Sequence, residues 1–233
     1  DIEQVEYEIE KVKVEEKVRK PSPPFITSTL QQDASRTLRL SPSQTMRIAQ
    51  QLYQGLKIGS DGEIGLITYM RTDSTNVASI ALNETVKYVL NKYGSKYLPN
   101  SPRRYAKKVK AAQEAHEAIR PTSVYRDPAS VKSYLDSDQF KVYELIWKRM
   151  VASQMADAIF DNTTVDIATK GSISGVKYTF QKIGSVMKFK GFRTLYIEGT
   201  DDIESDNEKD DVLPVLNDCR ICFKFHFLTS INI

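Results

Sequence analysis

The periodicity of the sequence changes twice, and this constrains the fold more than any other feature. Near the start, Val5, Tyr7 and Ile9 alternate with Glu6, Glu8 and Glu10, and Val12 and Val14 resume the alternation. A period of two is that of a half-buried strand or hairpin. Pro21, Pro23 and Pro24 end it and mark a linker or hinge. Apolar residues then recur at helical spacing to about residue 156. Strand-like runs return at 163–167, 176–183, 186–189 and 195–197, punctuated by Gly171, Gly175, Gly184 and Gly191. The order β, then α-rich, then β gives an α+β class. It is also the order expected if the two β parts form one domain interrupted by a helical one.

Within the helical stretch, Ser28-Thr-Leu-Gln31 fits a capping box, with Leu30, Ala34 and Leu38 following at helical spacing. Ser41-Pro42-Ser43-Gln44 repeats the signal with Pro at the first helical position, ahead of Met46, Ala49 and Tyr53, and Gly55 closes that helix. Ser60-Asp61-Gly62 reads as a turn and 64–67 as a short strand. Asn76 is placed to cap a helix over 77–93 that Gly94 stops. A further helix is expected from Ser137 to Ala156, carrying Phe140, Tyr143, Ile146, Trp147, Met150 and Val151.

Composition excludes some classes. Of 233 residues, 40% are apolar and 27% charged, the mix of a globular chain rather than a disordered or membrane one. No apolar run approaches the roughly 18 to 20 residues of a membrane span. The chain opens at Asp1, without Met or a signal peptide, so residues are expected upstream. The net charge of +3 is a weak pointer to nucleic acid. Residues 201–211, DDIESDNEKDD, are strongly acidic and read as a solvated loop, which leaves the remainder more basic. Cys219, Cys222 and His226 offer at most three metal ligands where structural zinc takes four, so no metal site is expected in this chain.

Three constellations could carry chemistry. In Gly65-Leu-Ile-Thr-Tyr69-Met-Arg71-Thr72-Asp73-Ser74 a strand end delivers a Tyr with an Arg two residues later. A phenol is a poor nucleophile until activated. A neighbouring guanidinium favours the phenolate and matches phosphate oxygens with its planar fork. In Gln113-Glu114-Ala-His116-Glu117-Ala-Ile-Arg120-Pro121-Thr122, His116 and Arg120 would share a face if the segment is helical, and the acidic neighbours favour an imidazolium able to contact phosphate. Arg103-Arg104-Tyr105-Ala-Lys107-Lys108-Val-Lys110 could neutralise a nucleic-acid backbone. Taken singly, each also has a plainer reading: a strand-end Tyr beside an exposed Arg, a surface helix end with charge pairs, and a solvated loop.

Together the segments resemble the type IA DNA topoisomerases of the bacterial topoisomerase I branch. The strings that carry the resemblance are PPFITSTLQQDAS (23–35), GLITYMRTDST (65–75), QEAHEAIRPT (113–122) and VYELIWKRMVASQM (142–155), in the family's order. The resemblance covers residues 1–216; NDCRICFKFHFLTSINI (217–233) does not share it. It implies an isomerase that needs no ATP. Tyr69 would attack a DNA phosphodiester to give a 5′-phosphotyrosine, Arg71 would position the phosphate, and His116, Arg120, Asp73, Thr72, Lys107 and Lys108 would contact DNA, with Asp73 orienting His116. It implies a gate in which a β-rich arch (1–28 and 157–216) carries a helix-rich domain (29–156), hinged near Pro21–Pro24 and Asp157. The partner would be a single-stranded segment of underwound DNA, the chain a monomer, and the location the bacterial nucleoid or an organelle. The family's acidic metal-binding domain, the TOPRIM fold that would hold Mg²⁺, is not in this sequence. Two other tyrosine DNA-breaking classes fit less well. A relaxase needs clustered His, and only His116 and His226 occur; a recombinase carries its Tyr late in the fold, and Tyr69 is early. A DNA-binding module that does not cleave by itself remains the rival description of this polypeptide.

Overall fold

A computed structural model describes residues 6–105, 116–172 and 176–197, together with the backbone of 222–223. In chain order the elements are β1 (Tyr7–Arg19), α1 (Thr27–Leu38), α2 (Pro42–Gln54), β2 (Leu56–Lys57), β3 (Glu63–Ile64), α3 (Ser79–Tyr93), α4 (Pro128–Val131), α5 (Ser137–Ser153), β4 (Ala158–Thr169), β5 (Thr179–Phe189) and β6 (Cys222–Phe223). They fall into two compact units: a sheet unit from β1, β4, β5 and β6, and a helical unit from Lys20–Asp157 with the residues that follow β5 from Lys190.

The sheet unit is antiparallel in the order β5-β4-β1-β6. Its register shifts between Ile9 and Lys11. That bulge explains a detail of the sequence: the apolar positions are odd up to Ile9 and even from Val12. In an unbroken strand, residues three apart face opposite ways, and one extra residue restores the phase. Ile9 and Val12 accordingly both pack against the cluster of Tyr7, Val165, Ile167 and Phe180.

Two strand expectations are corrected here. The runs 176–183 and 186–189 are not separated by Gly184; β5 continues through it, with Gly184 opposite Thr163. The run 195–197 is not a strand. Gly191 takes a left-handed φ of 49°, and a Cβ there would lie 2.2 Å from the Asp157 carbonyl oxygen. The chain therefore turns tightly at Gly191–Thr194 and buries Phe192 and Tyr196 in the helical unit.

In the helical unit α2 packs on α1 and α5. Their buried side chains include Leu30, Ala34, Ile48, Ala49, Leu52, Tyr143, Ile146, Trp147 and Met150. On α1 and α5 these are positions read from the sequence; on α2 the buried stripe is Ile48, Ala49 and Leu52 instead of Met46, Ala49 and Tyr53, because the helix is turned so that Tyr53 is exposed. Ser41 caps α2 as expected, its Oγ accepting from Gln44 N while Gln44 Oε1 accepts from Ser41 N. Asp136 caps α5 through the amides of Asp138 and Gln139. The other two expected caps differ. α1 starts two residues early, with Ile26 and not Ser28 at the cap, and Thr29 instead of Gln31 reaches back, accepting from the Ile26 amide. α3 begins at Ser79, because the Asn76 carbonyl is engaged by the Ala118 amide at 2.8 Å.

Where the chain enters and leaves the helical unit, Tyr105 ties the two passes together. Its hydroxyl donates to the carbonyls of Pro21 and Ser153. Burial, above all, pushes this phenol up to about 12 from 10.0; Asp157 raises it further, and Arg103 and Arg149 lower it. An unfolded chain would ionise the phenol from about pH 10, whereas the folded chain keeps the proton to about 12. Stability therefore falls as pH rises through that window. Burial raises the phenols of Tyr88 and Tyr143 as well, so Tyr105→Phe is expected to make that alkaline slope shallower without removing it in denaturant melts, on a lower starting stability; an equally steep slope would exclude Tyr105 as a contributor.

Candidate nucleophile and the cavity beside it

The segment after β3 is stitched down on both sides of Tyr69. Leu66 N donates to Leu52 O at the end of α2, Thr122 N to Leu66 O, and Thr68 N to Arg120 O. The Thr68 hydroxyl donates to Ala118 O at 2.7 Å and accepts from Arg120 N at 3.0 Å. Beyond Tyr69, the Thr27 hydroxyl donates to Met70 O and accepts from Thr72 N, while Thr27 N donates to Thr72 O. Ile67 and Met70 point into the core. Tyr69, held between the two clamps, is left 38% exposed, and its neighbour Arg71 is exposed too.

Two aromatic rings flank Tyr69: Tyr53 edge-on at 5.4 Å between centroids and His116 tilted at 6.0 Å. His116 in turn lines a cavity of about 460 Å³ with Ile26, Thr27, Ser28, Gln31, Arg71, Thr72 and Asp73. His116, distant in sequence, is thus brought to the loop that carries Tyr69, Arg71, Thr72 and Asp73. Thr72 Oγ1 accepts from Ser74 N, which tightens the turn that carries Asp73.

The segment 116–120 is not helical, contrary to the shared-face expectation. Ile119 bridges to Phe25 and Pro121 to Ile67, so the chain runs extended between two backbones. Arg120 precedes Pro121, which disfavours helical geometry at that residue. The Arg120 guanidinium is turned inward, 12% exposed, onto Glu117 at 2.5 Å and the Pro121 carbonyl, and is not among the residues lining the cavity. Arg103 is likewise engaged, paired with Asp157 at 2.5 Å. Lys107 and Lys108 lie outside the described residues, as do Cys219 and the acidic run 201–211. Sequence reasoning gave no site role to Ser28, Gln31 or Tyr53. The first two were read as a helix cap, but Thr29 caps α1 and their side chains line the cavity.

Among the described residues no group of three or more His, Cys, Asp or Glu could hold a metal ion, and of the eight residues lining the cavity only Asp73 is a carboxylate. These residues do not make a Mg²⁺ site. No described helix is long and apolar enough to cross a membrane.

A DNA topoisomerase family model matches residues 1–222. The chain belongs to the DNA topoisomerase family. The resemblance drawn from the four strings therefore holds. This topoisomerase chain is 47% identical over 202 residues to DNA topoisomerase 1 of Xylella fastidiosa (strain Temecula1), a match covering 86% of this chain and 24% of that protein. It superposes on the structure of full-length topoisomerase I from Thermotoga maritima with a TM-score of 0.71 at 40% identity, covering 85% of this chain and 31% of the other. The mixed helix-and-sheet fold is shared. The chain spans about a quarter of the length of the curated relative it matches.

Proposed function

We infer that this chain supplies the nucleophile and the DNA-contacting surface of a type IA DNA topoisomerase. The observation that carries the reading is the exposed Tyr69 phenol, clamped on both sides, beside a cavity that presents Arg71 and His116. In the reaction, Tyr69 Oη attacks a DNA phosphorus while the bond to the 3′ oxygen breaks. The phenol gives up its proton, the 3′ oxygen gains one, and a 5′-phosphotyrosine forms. A phenolate is a competent leaving group, so attack by the 3′ hydroxyl reverses the step and seals the strand without ATP. Arg71 holds the phosphate with its planar fork and spreads the developing charge. His116 contacts the same strand, with Asp73, which lines the same cavity, orienting it; Thr72 tightens the turn that carries Asp73. Arg120 reaches DNA only by exchanging Glu117 for a phosphate, and Lys107 and Lys108 extend the basic track. Any Mg²⁺ that the reaction uses would be held by the acidic domain that the family resemblance implies, and no step here runs through it. The partner is a single-stranded stretch of underwound DNA, met by a monomer, in a bacterial cytoplasm or an organelle.

The test uses this chain and a chimera in which it replaces the 202 matching residues of the Xylella fastidiosa relative. The chain alone is expected to bind a fluorescent single-stranded oligonucleotide, with affinity falling as salt rises because phosphate contacts release counterions. It is expected not to relax supercoiled plasmid, whereas the chimera does. No binding at low salt, or a chimera that binds but forms no covalent adduct, would overturn the reading.

A further inference from the structure

Tyr53 lies on the last turn of α2, sixteen residues before Tyr69, and nothing in the reaction requires it. Its neighbour Leu52 is fully buried, but Tyr53 itself is 40% exposed, so its ring is not a core side chain. The contact between the two exposed rings is set by backbone. Leu66 N bonds Leu52 O at 2.7 Å. Gly65 presses so closely on the helix end that a Cβ there would lie 2.6 Å from Tyr53 O. Only a residue without a side chain lets the strand that delivers Tyr69 approach the helix in this way. The result is an edge-to-face pair at 5.4 Å and 65°, the arrangement that aromatic quadrupoles favour.

An exposed phenol at the end of a rotatable side chain samples several orientations, whereas attack on phosphorus requires one. His116, the other ring in contact, also faces the cavity. Among the described residues, Tyr69 is the aromatic ring that Tyr53 meets. Building on the role of Tyr69 given above, we propose that Tyr53 is a positioning residue that fixes the orientation of the Tyr69 phenol, through a face or edge of its ring and not through its hydroxyl. The alternative use of an exposed aromatic at a DNA site, stacking on a base, would act on affinity instead.

The first measurement needs no activity. In NMR spectra of this chain, the Tyr69 ring protons are expected to carry a ring-current shift that Tyr53→Ala abolishes and Tyr53→Phe keeps. Unchanged Tyr69 signals in Tyr53→Ala would overturn the proposal whatever the protein does to DNA. The second measurement uses the chimera. Tyr53→Ala is expected to lower the single-turnover cleavage rate at saturating oligonucleotide by roughly 10- to 100-fold, the scale of a misplaced reacting group. The dissociation constant and thermal midpoint stay unchanged, and Tyr53→Phe recovers the rate. A weaker dissociation constant with an unchanged saturating rate would assign Tyr53 to base stacking and overturn the proposal, as would a rate that Tyr53→Phe fails to recover. If the unsubstituted chimera forms no adduct, the topoisomerase reading fails by itself and the NMR result still decides on the ring contact.

Discussion

Tyr69→Phe in the chimera is expected to reduce covalent capture of DNA and plasmid relaxation by roughly 10³-fold or more, the scale on which losing a catalytic nucleophile is felt. The substitution removes one oxygen. The ring keeps its edge contact with Tyr53, and the backbone clamps from Thr27 and Thr68 do not involve the phenol. Stability should therefore shift by no more than roughly 0.5 kcal/mol, as for other exposed positions. Binding of single-stranded DNA should persist, since Arg71 and His116 are untouched. The decisive comparison is a denaturing gel of labelled oligonucleotide beside a binding titration of the same variant. An adduct of undiminished yield in Tyr69→Phe would move the nucleophile to another residue.

The second large effect lies away from the cavity. Arg149 on α5 is buried, 8% exposed, and its Nε donates to Pro23 O at 2.7 Å and its Nη1 to the Tyr196 hydroxyl at 3.2 Å. The guanidinium also lies over the rings of Phe25 and Tyr196. Tyr196 in turn donates to the carboxylate of Asp33, which is buried as well. Removing the cation takes the donor from the Pro23 carbonyl and from the Tyr196 hydroxyl, and takes away the buried positive charge that offsets nearby Asp33 through that hydroxyl. Breaking such a buried charge set costs about 3–5 kcal/mol. Arg149→Ala is thus expected to lose that much in denaturant melts, enough to unfold a marginal domain. Phe25 bridges to Ile119 and Pro23 leads into α1, so the loss would also loosen the segment that carries His116. A change below about 1 kcal/mol would show that the network contributes little to stability beyond its packing.

Much of this was legible in the sequence, and the misses share a cause. The β-α-β order follows from periodicity, and the apolar stripe of α5 is core in space, whereas on α2 only Ala49 of the expected stripe is buried. Even the bulge in β1 is written in the shift of apolar residues from odd to even positions. The candidate site was legible where residues lie in one string: Tyr69 and Arg71 stand on the same clamped loop. What could not be read were choices made by distant partners. Asn76 has the chemistry of a cap, but its carbonyl is taken by Ala118, so α3 starts later. Ser28 and Gln31 fit a capping box, yet Thr27 is drawn to Thr72 and the helix starts earlier, with Thr29 closing it. The run around His116 and Arg120 has helical charge spacing, but pairing with Phe25 and Ile67 and the following Pro121 hold it extended. Tyr53 looked like core, because only the tertiary approach of Gly65 reveals what its ring meets.

The clamps around Tyr69 are made almost entirely of amides, carbonyls and three threonine hydroxyls, those of Thr27, Thr68 and Thr122. Amides and carbonyls are common to every residue type, so most mutations in this region cannot delete them; proline, which lacks the donor, is the exception. Substitution at Ser28, Gln31 or Asp73 can therefore remodel the cavity wall without displacing the backbone that holds Tyr69. The placement of this tyrosine and the lining of the cavity beside it are set by different parts of the chain, so an engineer can alter one and leave the other standing.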